Sequence, residues 1–139
     1  MPEKKTVKRA RKDARQGKAA STQAGEFVRE EMEHIRKGKH GARSTKQAIA
    51  IGLSKARRSG VKLAAPKAGT TSTGTRKRAL RDLEKSGSRK KPSAKRSRAS
   101  LEALRREPKR AASKRALSKQ AKGAAAARTK RAKVRTAGR

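Results

Sequence analysis

Ser21-Thr22-Gln23-Ala24-Gly25-Glu26-Phe27-Val28-Arg29-Glu30-Glu31-Met32-Glu33-His34-Ile35-Arg36-Lys37-Gly38 is the stretch on which the fold turns. Ala24, Phe27, Val28, Met32 and Ile35 recur at helical spacing and fall within an arc of about 140° at roughly 100° per residue. Glu26, Arg29, Glu30, Glu33 and Arg36 take the other side. Ser21 or Thr22 reads as the N-cap, with Glu26 in the first turn, where the helix dipole favours an acid. Arg36 and Lys37 suit the last turn, and Gly38 is the C′ stop.

A second helix follows after the short connection Gly38-Lys39-His40-Gly41-Ala42-Arg43. Ser44-Thr45-Lys46-Gln47 matches a capping box, in which serine accepts from the Gln47 amide and Gln47 reaches back. Ala48, Ile49, Gly52, Leu53 and Ala56 form its apolar stripe. Gly52 costs about 1 kcal/mol of helix propensity relative to alanine, which close approach of the first helix would offset. Gly60 is a fitting C′ residue and Val61 a C″ residue packing back on Ala56. Residues 21–65 therefore read as an antiparallel helical hairpin, because so short a connection joins neighbours. Ile51 projects about 200° from Ile49 and is expected to be one exposed apolar side chain. The other reading of Ile51 is self-association of the hairpin as a homodimer.

Outward from this unit the composition changes. The 139 residues hold 44 Lys and Arg against ten acids, a net charge of +34, with Phe27 the one aromatic and no cysteine. Residues 1–20 and 21–65 each carry +6, while residues 66–139 carry +22. About nine large apolar side chains lie between Phe27 and Leu63; at roughly 1.5–3 kcal/mol each when buried, they offset the ordering entropy of a small hairpin only. The expected organisation is a basic arm (1–20), the hairpin (21–65), a flexible Gly/Thr/Ser linker (66–74) and a Lys/Arg/Ala-rich tail (75–139). The fold class is mainly α, with disordered or conditionally helical flanks and no sheet. Within the tail, short helices are expected over Thr75–Lys85, with Leu80 and Leu83 on one side, and over Ser100–Glu107, ended by Pro108. Lys109 to Arg135 should become helical when phosphates neutralise it, with Gly123 as a breaker.

Charge of this density points to a polyanion. Duplex DNA carries one charge per about 1.7 Å, so 34 excess charges match roughly 17 base pairs. The candidate phosphate-binding side chains are Lys39, Arg43, Lys46, Arg57 and Arg58 on the hairpin. In the tail they are Arg76, Lys77, Arg78, Arg89, Lys90, Lys91, Lys95, Arg96, Arg98, Lys109, Arg110, Lys114, Arg115, Lys130, Arg131 and Lys133. Lys39, His40, Arg43 and Lys46 at the second helix's start would make a local phosphate site. Sequence readout and single-strand stacking have no support: zinc-finger spacing is absent, and one aromatic cannot make a stacking platform.

No catalytic, cofactor or metal residues are expected. His34 and His40 lie on different elements, and Glu30-Glu31-Glu33-His34 reads as the polar face of a helix. No Gly-x-x-x-x-Gly-Lys phosphate loop occurs, so neither an enzyme nor a small-molecule substrate is expected. No stretch is apolar enough to span a bilayer, and no apolar h-region opens the chain; an intracellular, nucleoid-associated protein is expected.

Ser21-Thr22-Gln23-Ala24-Gly25-Glu26-Phe27-Val28-Arg29-Glu30-Glu31 and Gly38-Lys39-His40-Gly41-Ala42-Arg43-Ser44-Thr45-Lys46-Gln47-Ala48-Ile49-Ala50-Ile51-Gly52-Leu53-Ser54-Lys55-Ala56-Arg57 resemble a family of small basic bacterial proteins. Their shared domain has no assigned function, and some members are labelled DNA-binding. The resemblance covers residues 1–65 closely and the remainder by composition, and it implies no catalytic residues. The tail is similar in composition to linker-histone and bacterial histone-like tails. The expected function is non-sequence-specific binding and compaction of duplex DNA. The alternatives are an RNA- or ribosome-associated protein, and an adaptor whose hairpin binds a protein.

Overall fold

A computed structural model describes residues 2–88 and 90–138. Among the described residues the chain is mainly helical, with no strand beyond an isolated bridge between Ala68 and Thr71. The helices are α1 (Lys4–Arg15), α2 (Ala20–Arg36), α3 (Thr45–Arg58), α4 (Thr73–Glu84), α5 (Ala94–Arg106) and α6 (Lys114–Ala137), with a 3₁₀ turn at Arg110–Ala112. None of them is long and apolar enough to cross a membrane.

The centre is the packing of α2 on α3. Contacts run in reverse order along the two helices. Met32 and Ile35 share one cluster with Ala48, Val28 faces Gly52, and Ala24 and Phe27 share a second cluster with Ala56 and Val61. A Cβ added to Gly52 would lie 2.7 Å from Val28 Cα, so the glycine lets the two backbones meet. Gly52→Ala is expected to destabilise the protein by about 1–3 kcal/mol through overpacking, despite an intrinsic helix gain near 1 kcal/mol. A lower urea midpoint checks this, and a rise would contradict the close approach.

The ends of these helices are set locally. Gly38 and Gly60 adopt φ of 77° and 102°, the left-handed conformation that stops a helix. Ser44 accepts from Gln47 N, and the Gln47 side chain accepts from Arg43 N, one residue before the cap. Val61 N–H donates to Ala56 O, and Val61 is buried beside it. The start of α2 differs from the expected Ser21 or Thr22 cap. The N-cap is Ala19, whose carbonyl takes the amides of Thr22 and Gln23 while the Gln23 side chain donates to Lys18 O. Ser21 and Thr22 are thus already helical.

Three further features depart from the sequence expectation. The basic arm forms α1, which lies on α2 through Thr6, Val7, Ala10 and Asp13, a stripe of small or polar residues. Helix α4 meets α3 through Ala79 and Asp82 rather than its leucines. Asp82 accepts from Ser54 Oγ at 2.6 Å and Arg58 Nε at 2.8 Å, while Leu80 is exposed. Ile51, expected in solvent, is half-buried.

The tail also returns to the core. Gly41 N–H donates to Leu104 O at 2.8 Å and Ala42 N–H to Pro108 O at 3.0 Å. Thr45 Oγ1 donates to Ala111 O at 2.7 Å, and Arg36 Nε to Ala112 O at 3.0 Å. Ala111 and Ala112 are buried against Met32, Ile35, Ala42 and Ala48. Gly41 is required here, because a Cβ would run into the Glu107 carbonyl. Serine caps start the remaining helices: Ser72 for α4, Ser93 for α5 and Ser113 for α6. Residues 73 and 74, read as linker, belong to α4, and α5 begins six residues before the expected Ser100. Helix α6 runs through Gly123, since alanine-rich flanks on both sides outweigh one glycine.

Candidate nucleic-acid interface

Among the described residues, six of the ten acids, Glu3, Asp13, Glu26, Glu31, Glu33 and Asp82, pair with a Lys or Arg. Their Lys and Arg partners are only six: Arg9, Lys18, Arg29, Lys39, Lys55 and Arg58. These acids are drawn inward or onto local partners, and most of the positive charge among the described residues is left without an acid. Helix α6 is the extreme case. It carries nine cations, no acid and no buried residue over 24 residues, a length of about 36 Å. Helix α5 likewise has no buried residue and exposes Lys95, Arg96 and Arg98.

The expected phosphate-binding side chains divide by environment. Arg43, Lys46, Lys77, Arg78, Lys90, Lys91, Lys109, Arg110, Lys114, Arg115, Lys130 and Lys133 are exposed. Arg76 is exposed and donates to Pro66 O, and Arg131 to Thr70 O, which fixes their heads beside the turn before α4. Lys39 is exposed but shares Glu3, at 3.6 Å. Arg58 is tied to Asp82, which leaves it partly committed. Arg57 does not belong to a surface. It is buried, donates to Leu63 O and Ala64 O, and holds the chain leaving α3; burial pulls its pKa down, partly opposed by Asp82. Arg89 lies outside the described residues. The expected local site at the start of α3 thus keeps Arg43 and Lys46 free, while Lys39 is drawn to an acid and His40 is buried.

From sequence, one group of cations reads only as a basic arm, without named side chains. Lys8, Arg9, Arg11, Lys12 and Arg15 on α1 line a shallow open groove. The signal was the period of the small residues Thr6, Ala10 and Asp13, which turns the basic residues outward.

The histidines and carboxylates of α2 also differ from expectation. Glu30 and Glu31 are 4% and 0% exposed, so they are not a polar face. Glu31 is four residues from both Phe27 and Ile35, hence on the buried stripe. His34 and His40, expected apart, approach to 6.0 Å between ring centroids at 82°. The connection after Gly38 folds back over α2 and brings them together. Glu31 Oε1 accepts from Lys55 Nζ, and its Oε2 lies 3.2 Å from His40 Nε2. His34 Nε2 lies 3.0 Å from Glu3 Oε1, and Glu3 N–H donates to Glu30 Oε1 at 2.6 Å. The His34 hydrogen bond, with Lys39 nearby, holds the Glu3 carboxyl below its ordinary pKa.

Comparison with protein-family models, with curated proteins and with solved structures finds no match.

Proposed function

We propose that the protein binds duplex DNA without sequence preference and compacts it, as a nucleoid-associated, histone-like protein. The observation that carries this reading is the separation of charge: most acids are taken up by local partners, while exposed cations far outnumber acids along α1, α5 and α6. Nucleic-acid phosphates are the dense, regular anions that such a surface would neutralise, releasing counterions. In this reading α2 and α3 form an antiparallel hairpin that positions the basic elements. The surface beyond the docked segment orders fully only when phosphates relieve its repulsion. Helix α6, at about 36 Å, is as long as one turn of duplex, about 34 Å. Contacts to phosphates position a protein without reading bases, which accounts for the expected lack of sequence preference.

Competition at physiological salt tests the choice of partner. Unlabelled duplex DNA of scrambled sequences should displace a labelled duplex equally well, and rRNA no better than DNA. Displacement by rRNA at concentrations orders of magnitude lower would move the assignment to an RNA-bound protein.

A further inference from the structure

The nucleic-acid reading makes no use of the one place where acids and histidines are buried together. Glu31, His34 and His40 each offer a ligand atom, and these atoms lie within 4.8 Å of one another. Glu3, Glu30 and His34 form a second such group, joined to the first through His34. They are not a solvated cluster: Glu30, Glu31 and His40 are buried, and the His34 side chain is only 14% exposed.

The bonding inside the cluster is incomplete in a specific way. His40 Nδ1 faces the Gly41 carbonyl at 2.9 Å, and a carbonyl only accepts, so Nδ1 carries the proton. In the neutral ring Nε2 then presents a lone pair, 3.2 Å from Glu31 Oε2, which is itself only an acceptor. Glu31 Oε2 has no hydrogen-bond partner, and neither has Glu30 Oε2. Two lone pairs in a buried place repel, and an orphaned carboxylate oxygen there is costly. Two ligands about 2.0–2.1 Å from one tetrahedral ion stand roughly 3.3 Å apart, with neither aimed along the line to the other. A contact at 3.2 Å without hydrogen-bond alignment matches that arrangement better than a donor–acceptor pair.

The surroundings suit such an ion. An oxygen holds one nitrogen of each histidine: Gly41 O holds His40 Nδ1, and Glu3 Oε1 holds His34 Nε2. This is the outer-shell support that orients metal-bound imidazoles. The facing charges are Glu3, Glu30 and Glu31 against the ammonium groups of Lys39 and Lys55. Acid outnumbers base here, in a chain whose net charge is +34. Imidazole with carboxylate suits zinc and its neighbours in the first transition row, while few-oxygen sites of this kind are poor for calcium.

We infer that Glu31, His34 and His40 form a binding site for a divalent transition-metal ion of the zinc class, with Glu3 and Glu30 beside it. The ion would tie α2 to the loop that carries Gly41 and Ala42, the residues that receive the returning tail. The site is independent of the phosphate-binding surface.

The test uses the full chain, freed of nucleic acid and stripped with a chelator, titrated with Zn²⁺ alone. One equivalent should bind and raise the unfolding temperature. Co²⁺ in its place should give the intense visible absorption of a tetrahedral site. His34→Gln and His40→Gln should each lower zinc affinity by more than about tenfold, the least expected when an outer-shell partner alone is lost. Glu33→Gln, at an exposed neighbour paired with Arg29, should leave it unchanged. Should a histidine variant lose its helicity, the ring resonances of the unmodified chain decide: both must shift with one equivalent of Zn²⁺. Absence of zinc uptake overturns the inference, as does uptake undiminished in both histidine variants. Histidine resonances that stay in the imidazolium form at neutral pH, unmoved by Zn²⁺, also overturn it, leaving a plain ion-pair cluster.

Discussion

Raising salt from about 50 to about 200 mM is expected to weaken duplex binding by roughly 10³- to 10⁵-fold, the loss for six to ten phosphate contacts. Helix α6 alone carries nine exposed cations and no acid, so it can supply contacts of that number. With a slope near −0.9 per phosphate, a chain ending at Ser113 should lose up to about eight units of the log–log salt slope. Such a chain keeps Ala111 and Ala112 but loses Leu117, which packs against their cluster, so a melting curve of the shortened chain accompanies the comparison. Exchanging base sequence should leave both affinity and slope almost unchanged, because phosphate contacts do not report sequence. Anisotropy titrations on labelled duplexes across a salt series measure all three quantities. A full-length slope shallower than about −3, or strong preference among duplexes, would sink the phosphate-neutralisation reading.

The second large effect is on folding. Phe27→Ala should destabilise the protein by about 3–5 kcal/mol, the cost of removing a buried aromatic. Phe27 is 1% exposed and is the one large ring in a cluster with Ala10, Ala24, Ala56 and Val61, against which Val7, Leu53 and Leu63 pack. The buried alanines cannot reach into the space it leaves, and a ring's volume exceeds what a shift of Val7, Leu53 or Leu63 can fill. A loss of this size takes most of the roughly 5 kcal/mol that a small domain has. It corresponds to a drop in melting temperature of about 10 °C or more. Far-UV circular dichroism during heating measures it. A change below about 1 kcal/mol would show that another residue organises α1, α2 and α3.

How much of this was legible differs between residues. Helices α2 and α3 were, because their stripes and their stops at Gly38, Ser44 and Gly60 are written within a few residues of each other. The packing of α1 was not, because Thr6, Ala10 and Asp13 are small or polar and lie among cations that dominate any average. The docked tail was invisible for a different reason. Ala111 and Ala112 carry no periodic signal, and their partners Arg36 and Thr45 lie 76 and 66 residues away. On the candidate interface, charge identified the exposed tail, yet could not show that Arg57 turns inward to bind carbonyls. The buried histidines and glutamates failed to register because a helical wheel assigns sides, not what covers them. Only the position of Glu31 between Phe27 and Ile35 hinted at it.

The contact of Leu104, Pro108, Ala111 and Ala112 with the core is made by four hydrogen bonds and two methyl groups. Taken as a separate peptide, that segment would bind only feebly. Tethered to the same chain, it is presented at an effective concentration on the order of millimolar, so a feeble contact suffices to keep it home. The basic helices on either side of it are thereby leashed at both ends of the docked segment. On the proposed function, a long polyanion would meet a clustered array of cations instead of a string that must first be gathered from solution.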